Sequence, residues 1–136
     1  MNALLNDQLE PETGARRLAP VYLKLVGVGF LVVGLMRAGV ILGINAEGTG
    51  FLDLDPAGRA GSVALVSLDL FAATGLWLAA AWGPVIWAVA AIVEIAMHTV
   101  FAGRFGANWL AVLAHSALFA VYGALKSYEW WREYRA

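Results

Sequence analysis

The chain has 136 residues, of which 61% are hydrophobic and 14% are charged, and its formal net charge is -1. Soluble domains carry about 25% charged residues, so this composition excludes an ordinary water-soluble surface, and the near-neutral charge gives no reason to expect nucleic-acid binding. The absence of cysteine excludes disulfides, thiolate metal sites and cysteine nucleophiles.

The predicted elements are, in chain order, a polar arm, four transmembrane helices and a short tail. Residues 1–20 begin acidic and polar rather than basic and apolar, so we expect a cytoplasmic arm and not a signal peptide. A helix needs about 20 mostly apolar residues to cross the hydrocarbon core of a membrane. Within a transmembrane domain at 21–127, the segments that satisfy this are 21–44, 60–82, 84–102 and 108–127.

Helix-capping residues and short connections define the predicted fold class. Asp55 before Pro56 is typical of an N-cap followed by proline in the first turn, and Asn108 is a candidate cap for the last span. Gly83-Pro84 leaves so short a turn that the second and third spans must be antiparallel neighbours. The sequence therefore predicts an all-α, polytopic membrane four-helix bundle with antiparallel neighbours and short loops.

The distribution of basic residues predicts the orientation of the protein in the membrane. An even number of spans puts both chain ends on one side, and both ends are flanked by basic residues, namely Arg16, Arg17, Lys24, Lys126, Arg132 and Arg135. We therefore expect cytoplasmic termini in the bacterial inner membrane. Aromatic and charged residues alternate in residues 128–136, which predicts an interfacial tail rather than a nucleic-acid stacking surface.

Five ionisable side chains lie inside the predicted spans, namely Arg37, Asp69, Glu94, His98 and His115. At about 1.5 Å per residue, each lies about 6 to 13 Å from the outer end of its span, so we expect one polar layer in the outer half of the membrane. A charge at mid-bilayer costs at least about 2.5 kcal/mol, and such residues usually face the bundle interior and pair. Arg37 is the natural counter-ion of Asp69 or Glu94, which leaves one acid near two histidines.

This polar layer has four interpretations. The one we favour is structural and needs no cofactor, because ion pairs and hydrogen bonds would fix the helix packing. The second is a proton or ion relay through the acids and histidines. The third is a metal site made by Asp69, Glu94, His98 and His115, whose ligand types suit zinc, manganese or iron. The fourth is a b-type haem held by His98 and His115.

Small residues at helical spacing predict close contacts between helices. Gly39 with Gly43, and Gly75 with Ala79, are pairs of the kind that lets two backbones approach. We expect them to pack inside the bundle, and a docking face is the alternative. Four spans with almost no loops expose much helix surface to the lipid bilayer, so we expect a homo-oligomer or membership of a larger membrane complex. No nucleophile motif or phosphate-binding loop supports an enzyme.

Two distinctive segments are the turn WGPVIW, from Trp82 to Trp87, and the tail KSYEWW, from Lys126 to Trp131. With them, the whole chain resembles small four-span bacterial inner-membrane proteins of an uncharacterised family. The segment YLKLVGVGFLVVGLMRAG, from Tyr22 to Gly39, resembles the first helix of DoxX-like four-helix proteins. Neither resemblance implies an activity. The sequence therefore predicts a membrane accessory, assembly or interaction protein, with a proton or metal-ion carrier as the alternative and a haem- or metal-binding redox subunit third.

Overall fold

A computed structural model describes residues 18–44 and 50–135 of the chain. These residues form five α-helices, which are α1 (Leu18–Ile41), α2 (Pro56–Trp77), α3 (Gly83–His98), α4 (Ala102–Phe105) and α5 (Trp109–Arg135), and one 3-10 turn, Phe51–Asp53. Helix α1 packs on α2, α2 packs on α3, and α5 closes the bundle against α1 and α3. The prediction of an all-α four-helix bundle with short loops is confirmed.

The lengths of the helices distinguish α3 from the other three long helices. By length and composition, α1, α2 and α5 are able to cross a membrane, whereas α3 is a shorter apolar helix of 16 residues. Apolar composition runs on to Ala102, but the helix ends at His98. Thr99 is its C-cap, and Phe101 N donates to Ala96 O at 3.0 Å, a longer-range bond than those of the helix. The third predicted span therefore consists of a short helix followed by a turn.

The two ends of the chain differ from the sequence expectation in secondary structure. Helix α1 begins at Leu18, so the last part of the predicted arm is helical, and residues 1–17 lie outside the described residues. Helix α5 continues to Arg135, so most of the predicted tail extends the last helix. The division into arm, transmembrane domain and tail stays a prediction, because helix limits alone do not define where the membrane ends.

The N-termini of α2 and α5 are capped as the sequence predicts. Asp55 is the N-cap of α2, its Oδ1 accepts a hydrogen bond from Gly58 N at 2.8 Å, and Pro56 occupies the first turn. At α5, Ala111 N donates to Oδ1 of Asn108 at 3.1 Å. Each cap satisfies a backbone donor that the helix itself leaves unpaired, and so fixes where the helix begins.

The small pair Gly39 and Gly43 lies at the end of α1. Ile44 N donates to Gly39 O at 2.8 Å, and Gly43 N donates to Val40 O at 3.1 Å. Gly43 has a φ of +78°, a conformation that costs little without a Cβ. These bonds form a Schellman motif. Gly43 therefore ends the helix. Among the described residues, no atom other than those of its chain neighbours and of its own helix backbone lies within 4 Å of where a Cβ on Gly43 would lie.

The second small pair, Gly75 and Ala79, ends α2 by the same motif. Ala80 N donates to Gly75 O at 2.9 Å, Ala79 N donates to Leu76 O at 3.2 Å, and Ala79 has a φ of +52°. Gly75 also packs closely, because a Cβ there would lie 2.7 Å from the Cα of Gly83. In this pair, Ala79 therefore ends the helix, and Gly75, four residues earlier, packs closely against the start of α3.

The core lies between the helices on the side of the bundle that holds the α2–α3 turn. Trp87 of α3 is fully buried, stacks on Phe119 of α5 at 4.3 Å between ring centroids, and meets Tyr122 edge-on. Glycines let α1 approach α2, since a Cβ on Gly27 would lie 3.1 Å from Leu76 Cβ. Large apolar side chains nevertheless remain exposed along every long helix, which fits contact with a lipid bilayer.

Candidate functional site

Arg37 of α1 joins two carboxylates from two other helices. Its Nη1 donates to Asp69 Oδ2 of α2 at 2.7 Å, and its Nη2 donates to Glu94 Oε1 of α3. Asp69 is 0% exposed and Glu94 is 4% exposed, whereas the Arg37 side chain keeps 26% of its surface exposed. The planar guanidinium offers a fork of donors, so one arginine serves two acids that a single lysine amine would serve less well.

His115 of α5 completes this group, which we call the ion cluster: Arg37, Asp69, Glu94 and His115. Its Nε2 lies 3.6 Å from Glu94 Oε2, and its Nδ1 lies 2.9 Å from the Ala111 carbonyl oxygen. Because a carbonyl only accepts, the Nδ1 nitrogen donates to it. The edge of Phe30 meets the imidazole at 5.8 Å between centroids, which covers it with apolar surface.

The backbone explains why these four side chains meet. Arg37 lies four residues before the end of α1, Glu94 lies four residues before the end of α3, and His115 lies six residues after the start of α5. All three therefore lie toward the end of the bundle that carries the 50–55 and 99–108 segments. Gly34 permits the close approach of Asp69, whose Cβ would lie 3.2 Å from a Cβ built on that glycine.

His98 belongs to the predicted layer but takes a different partner. Its Nδ1 donates to the Gly106 carbonyl oxygen at 2.8 Å, in the segment between α4 and α5. Four of the five predicted residues are thus brought together, and His98 lies at the end of α3, one turn beyond Glu94. The His98 ring therefore connects α3 to the loop that follows α4 and is not part of the ion cluster.

The positions of His98 and of the ion cluster can be compared with what a metal ion or a haem requires. Across residues 18–44 and 50–135, no group of three or more histidine, cysteine, aspartate and glutamate side chains is arranged to hold a metal ion. The predicted metal ligands Asp69, Glu94, His98 and His115 therefore do not converge as one set. For a haem, His98 and His115 would both have to face one iron with a free nitrogen. Each donates Nδ1 to a carbonyl, which leaves Nε2 for that role, but Nε2 of His115 faces Glu94 Oε2 at 3.6 Å.

A second ion pair joins the connections at the same end of the bundle. Asp55 accepts from the Arg104 guanidinium through Oδ2, while its Oδ1 accepts from Gly58 N. The Gly58 backbone hydrogen bond first, and then the Arg104 side chain, hold the pKa of Asp55 below its ordinary value of 3.8. From the sequence, Asp55 was predicted only as the N-cap of a helix. The ion pair could have been expected because Arg104 is the one charged residue in the predicted loop between the third and fourth spans.

Asp55→Asn keeps a good N-cap but removes the charge, so it should lower thermal stability less than Asp55→Ala does. Because folding lowers the pKa of Asp55, its charge stabilises the folded state fully above about pH 3.8, the ordinary value. This stabilisation is lost as the pH falls through the lower folded-state pKa. Melting temperatures of the wild type and Asp55→Asn in detergent should therefore differ at pH 7, and the difference should shrink as the pH is lowered below 3.8. A difference that does not shrink would contradict the role of the charge.

Hydrophobic helices and a buried cluster of charged groups together define the class of this protein. It is a small all-α integral membrane protein, multi-pass by helix hydropathy, with an ion cluster shared by its four long helices. The chain belongs to DUF6163, a family of unknown function, and the match covers residues 17–133. No curated protein and no solved structure matches it. The family match spans nearly all of the chain, whereas the resemblance to DoxX-like proteins concerns the first helix only.

Proposed function

We propose that this protein is a small membrane accessory, assembly or interaction protein whose ion cluster fixes the packing of its helices. The observation that carries the proposal is that each long helix contributes one side chain to the cluster: Arg37, Asp69, Glu94 and His115. Any helix that moved away would leave a buried charge without its partner, which is costly in a membrane. Such a bundle is rigid enough to present a fixed outer surface.

The outer face of α5 is the surface best suited to association. His115 is the one residue of α5 that is buried, so most of this helix has no cover from the rest of the described chain. Small exposed residues follow one stripe at spacings of four, three and four, namely Ser116, Ala120, Gly123 and Ser127. Lipid contact does not require small residues, whereas close packing of membrane helices does.

The ends of this stripe indicate what covers it. Bulky exposed residues continue the same spacing on both sides, with Trp109 and Leu113 before it and Trp130 and Tyr134 after it. Two helices that cross at an angle are closest at the crossing point and separate toward their ends. Small residues in the middle and large ones at the ends fit such a crossing. A symmetric pair needs the same surface on both subunits, so we assign the stripe to a second copy of this chain.

Cysteine cross-linking tests this association, because the natural chain contains no cysteine. Ala120→Cys should form a disulfide-linked dimer in native membranes under mild oxidation. Ala114→Cys is the matched control, since Ala114 is also exposed on α5 but points about 120° away around the helix. Equal cross-linking of the two variants would indicate random collision. If a photoreactive residue at Ala120 links only to a different membrane protein, that protein replaces the second copy as the partner.

The same proposal includes the orientation in the bacterial inner membrane with both termini in the cytoplasm. Lys24 lies 5.9 Å above the Trp77 ring, where α1 begins and α2 ends, and Lys126, Arg132 and Arg135 lie in the last part of α5. Basic residues thus lie toward one end of the bundle, which supports the cytoplasmic side by the distribution of charge. Tyr128 is exposed and lies outside the stripe, so labelling of Tyr128→Cys by a membrane-impermeant reagent should require broken cells, and labelling of intact cells would contradict this orientation.

A further inference from the structure

The ion cluster holds two acids and one permanently charged base. Arg37 supplies one positive charge, and Asp69 and Glu94 supply two negative charges when ionised, so the three groups carry a net charge of -1. Both carboxylates are buried and therefore separated from water. A buried uncompensated charge attracts a proton or another cation, because either restores neutrality where solvent does not. This imbalance is independent of the association proposed for α5.

The geometry at His115 shows where a proton would bind. Since Nδ1 carries the hydrogen that it donates to Ala111 O, a neutral ring has a bare Nε2 nitrogen. That nitrogen is buried, makes no hydrogen bond, and lies 3.6 Å from Glu94 Oε2. Two buried acceptors that face each other without a hydrogen repel, whereas one hydrogen between them satisfies both. The arrangement is therefore completed by one proton.

We propose that the ion cluster is a binding site for a single proton, which is held between Glu94 Oε2 and His115 Nε2. The proton sits on either atom and is donated to the other. The charged groups that face this pair are Arg37 from α1 and Asp69 from α2, and Phe30 covers the ring. When the proton is bound, the ion cluster is neutral. When it is absent, one negative charge remains inside the bundle.

Asp69 is the other acid that could hold the proton, and its surroundings favour Glu94 instead. Its Oδ2 accepts from Arg37, and its Oδ1 is buried with no hydrogen-bond partner. A proton on Oδ1 would therefore have no acceptor to receive it. The Glu94–His115 pair offers an acceptor on both sides. A bound metal ion would need a third ligand from such side chains, and the described part of the chain supplies no such group.

Arg37 is the most exposed member of the ion cluster. Arg37 reaches the surface with 26% of its side chain, near the end of α1. In the other direction the core consists of apolar and aromatic side chains, with Phe30, Leu76 and Trp87 among them. Proton relays through membranes use chains of acids and histidines, and this core has none among its described residues. The described core therefore offers no chain of acids and histidines that would carry the proton onward from the ion cluster.

Nitrogen NMR and infrared spectroscopy of the protein in lipid nanodiscs test the proposal at neutral pH. The chain has two histidines, so ring nitrogens labelled with 15N give signals that His98→Gln and His115→Gln assign. In the wild type, Nε2 of His115 should be protonated, or the carboxyl band of Glu94 should be that of a protonated acid bonded to it. Glu94→Gln should lose this bound proton, about one per chain, while His98→Gln should retain it.

His115→Gln provides the second measurement, because it removes the ring but keeps a hydrogen-bonding side chain. Glu94 must then hold the proton alone, so the infrared band of its protonated carboxyl should be present. The proposal is overturned if the wild type shows a bare Nε2 on His115 together with an ionised Glu94. It is also overturned if the protonated carboxyl band disappears in Asp69→Asn and not in Glu94→Gln, since the proton would then belong to Asp69.

Discussion

Replacing Arg37 with methionine is expected to lower the free energy of unfolding in detergent by about 3 to 5 kcal/mol, the range for removing one partner of a buried ion pair. Methionine keeps much of the side-chain length but none of the donors. Asp69 and Glu94 would both lose the guanidinium that bridges them. Chemical denaturation followed by tryptophan fluorescence measures the loss, because the buried Trp87 reports on the core.

A compensated variant separates the loss of charge balance from the loss of packing. Arg37→Met combined with Asp69→Asn and Glu94→Gln leaves His115 as the one ionisable side chain of the ion cluster. We expect this triple variant to recover most of the stability that Arg37→Met loses, because neutral or hydrophobic replacements of whole buried ion clusters are often tolerated. A triple variant that is no more stable than Arg37→Met would show that shape, and not charge, is what the cluster contributes.

Arg104→Met is the matched control for this experiment. It also removes an arginine that pairs with a carboxylate, but both partners are exposed and the pair joins loops. Exposed ion pairs contribute about 0 to 1 kcal/mol. If Arg37→Met destabilises the protein no more than Arg104→Met does, the ion cluster does not fix the helix packing, and the proposed function loses its main support.

The ion cluster could be predicted from the sequence because the membrane makes isolated charges costly. That one argument brought together Arg37, Asp69, Glu94 and His115 from four helices. It failed for His98 because the apolar pattern continues beyond the helix end at that residue. The ring therefore meets the Gly106 carbonyl, a partner that no side-chain pattern specifies. The pairing of the four side chains could therefore be predicted from the sequence, whereas the hydrogen bonds from the histidines to backbone carbonyls could not.

The small residues show a second limit of the sequence. A spacing of four residues brings two small residues to one face of a helix, and it is also the spacing between the C3 residue and the left-handed C′ residue of a Schellman motif at a helix end. Gly39 with Gly43, and Gly75 with Ala79, have that spacing at helix ends. Only the position of the helix end decides between the roles. Sequence patterns place such ends to within about two to four residues, which is too coarse for this choice.

Gly83→Ala tests a close contact between the backbones of α2 and α3. A Cβ on Gly83 would lie 2.6 Å from Gly75 C, 2.7 Å from Gly75 O and 2.8 Å from Leu76 N. All three are backbone atoms, so no flexible side chain can move aside, and the short 78–82 connection holds the helices together. We expect a loss of about 3 kcal/mol in the free energy of unfolding, at the upper end for overpacking.

The control for this substitution is Gly29→Ala, which adds the same methyl group to a helical glycine of α1. Nothing lies within 4 Å of the Cβ position at Gly29, so alanine there should be neutral or stabilising by up to about 1 kcal/mol. Both variants change helix propensity in the same direction, and only Gly83→Ala meets a neighbouring helix. Equal effects in the two denaturation curves would therefore show that the α2–α3 turn is not packed as tightly as the Gly75–Gly83 contact requires.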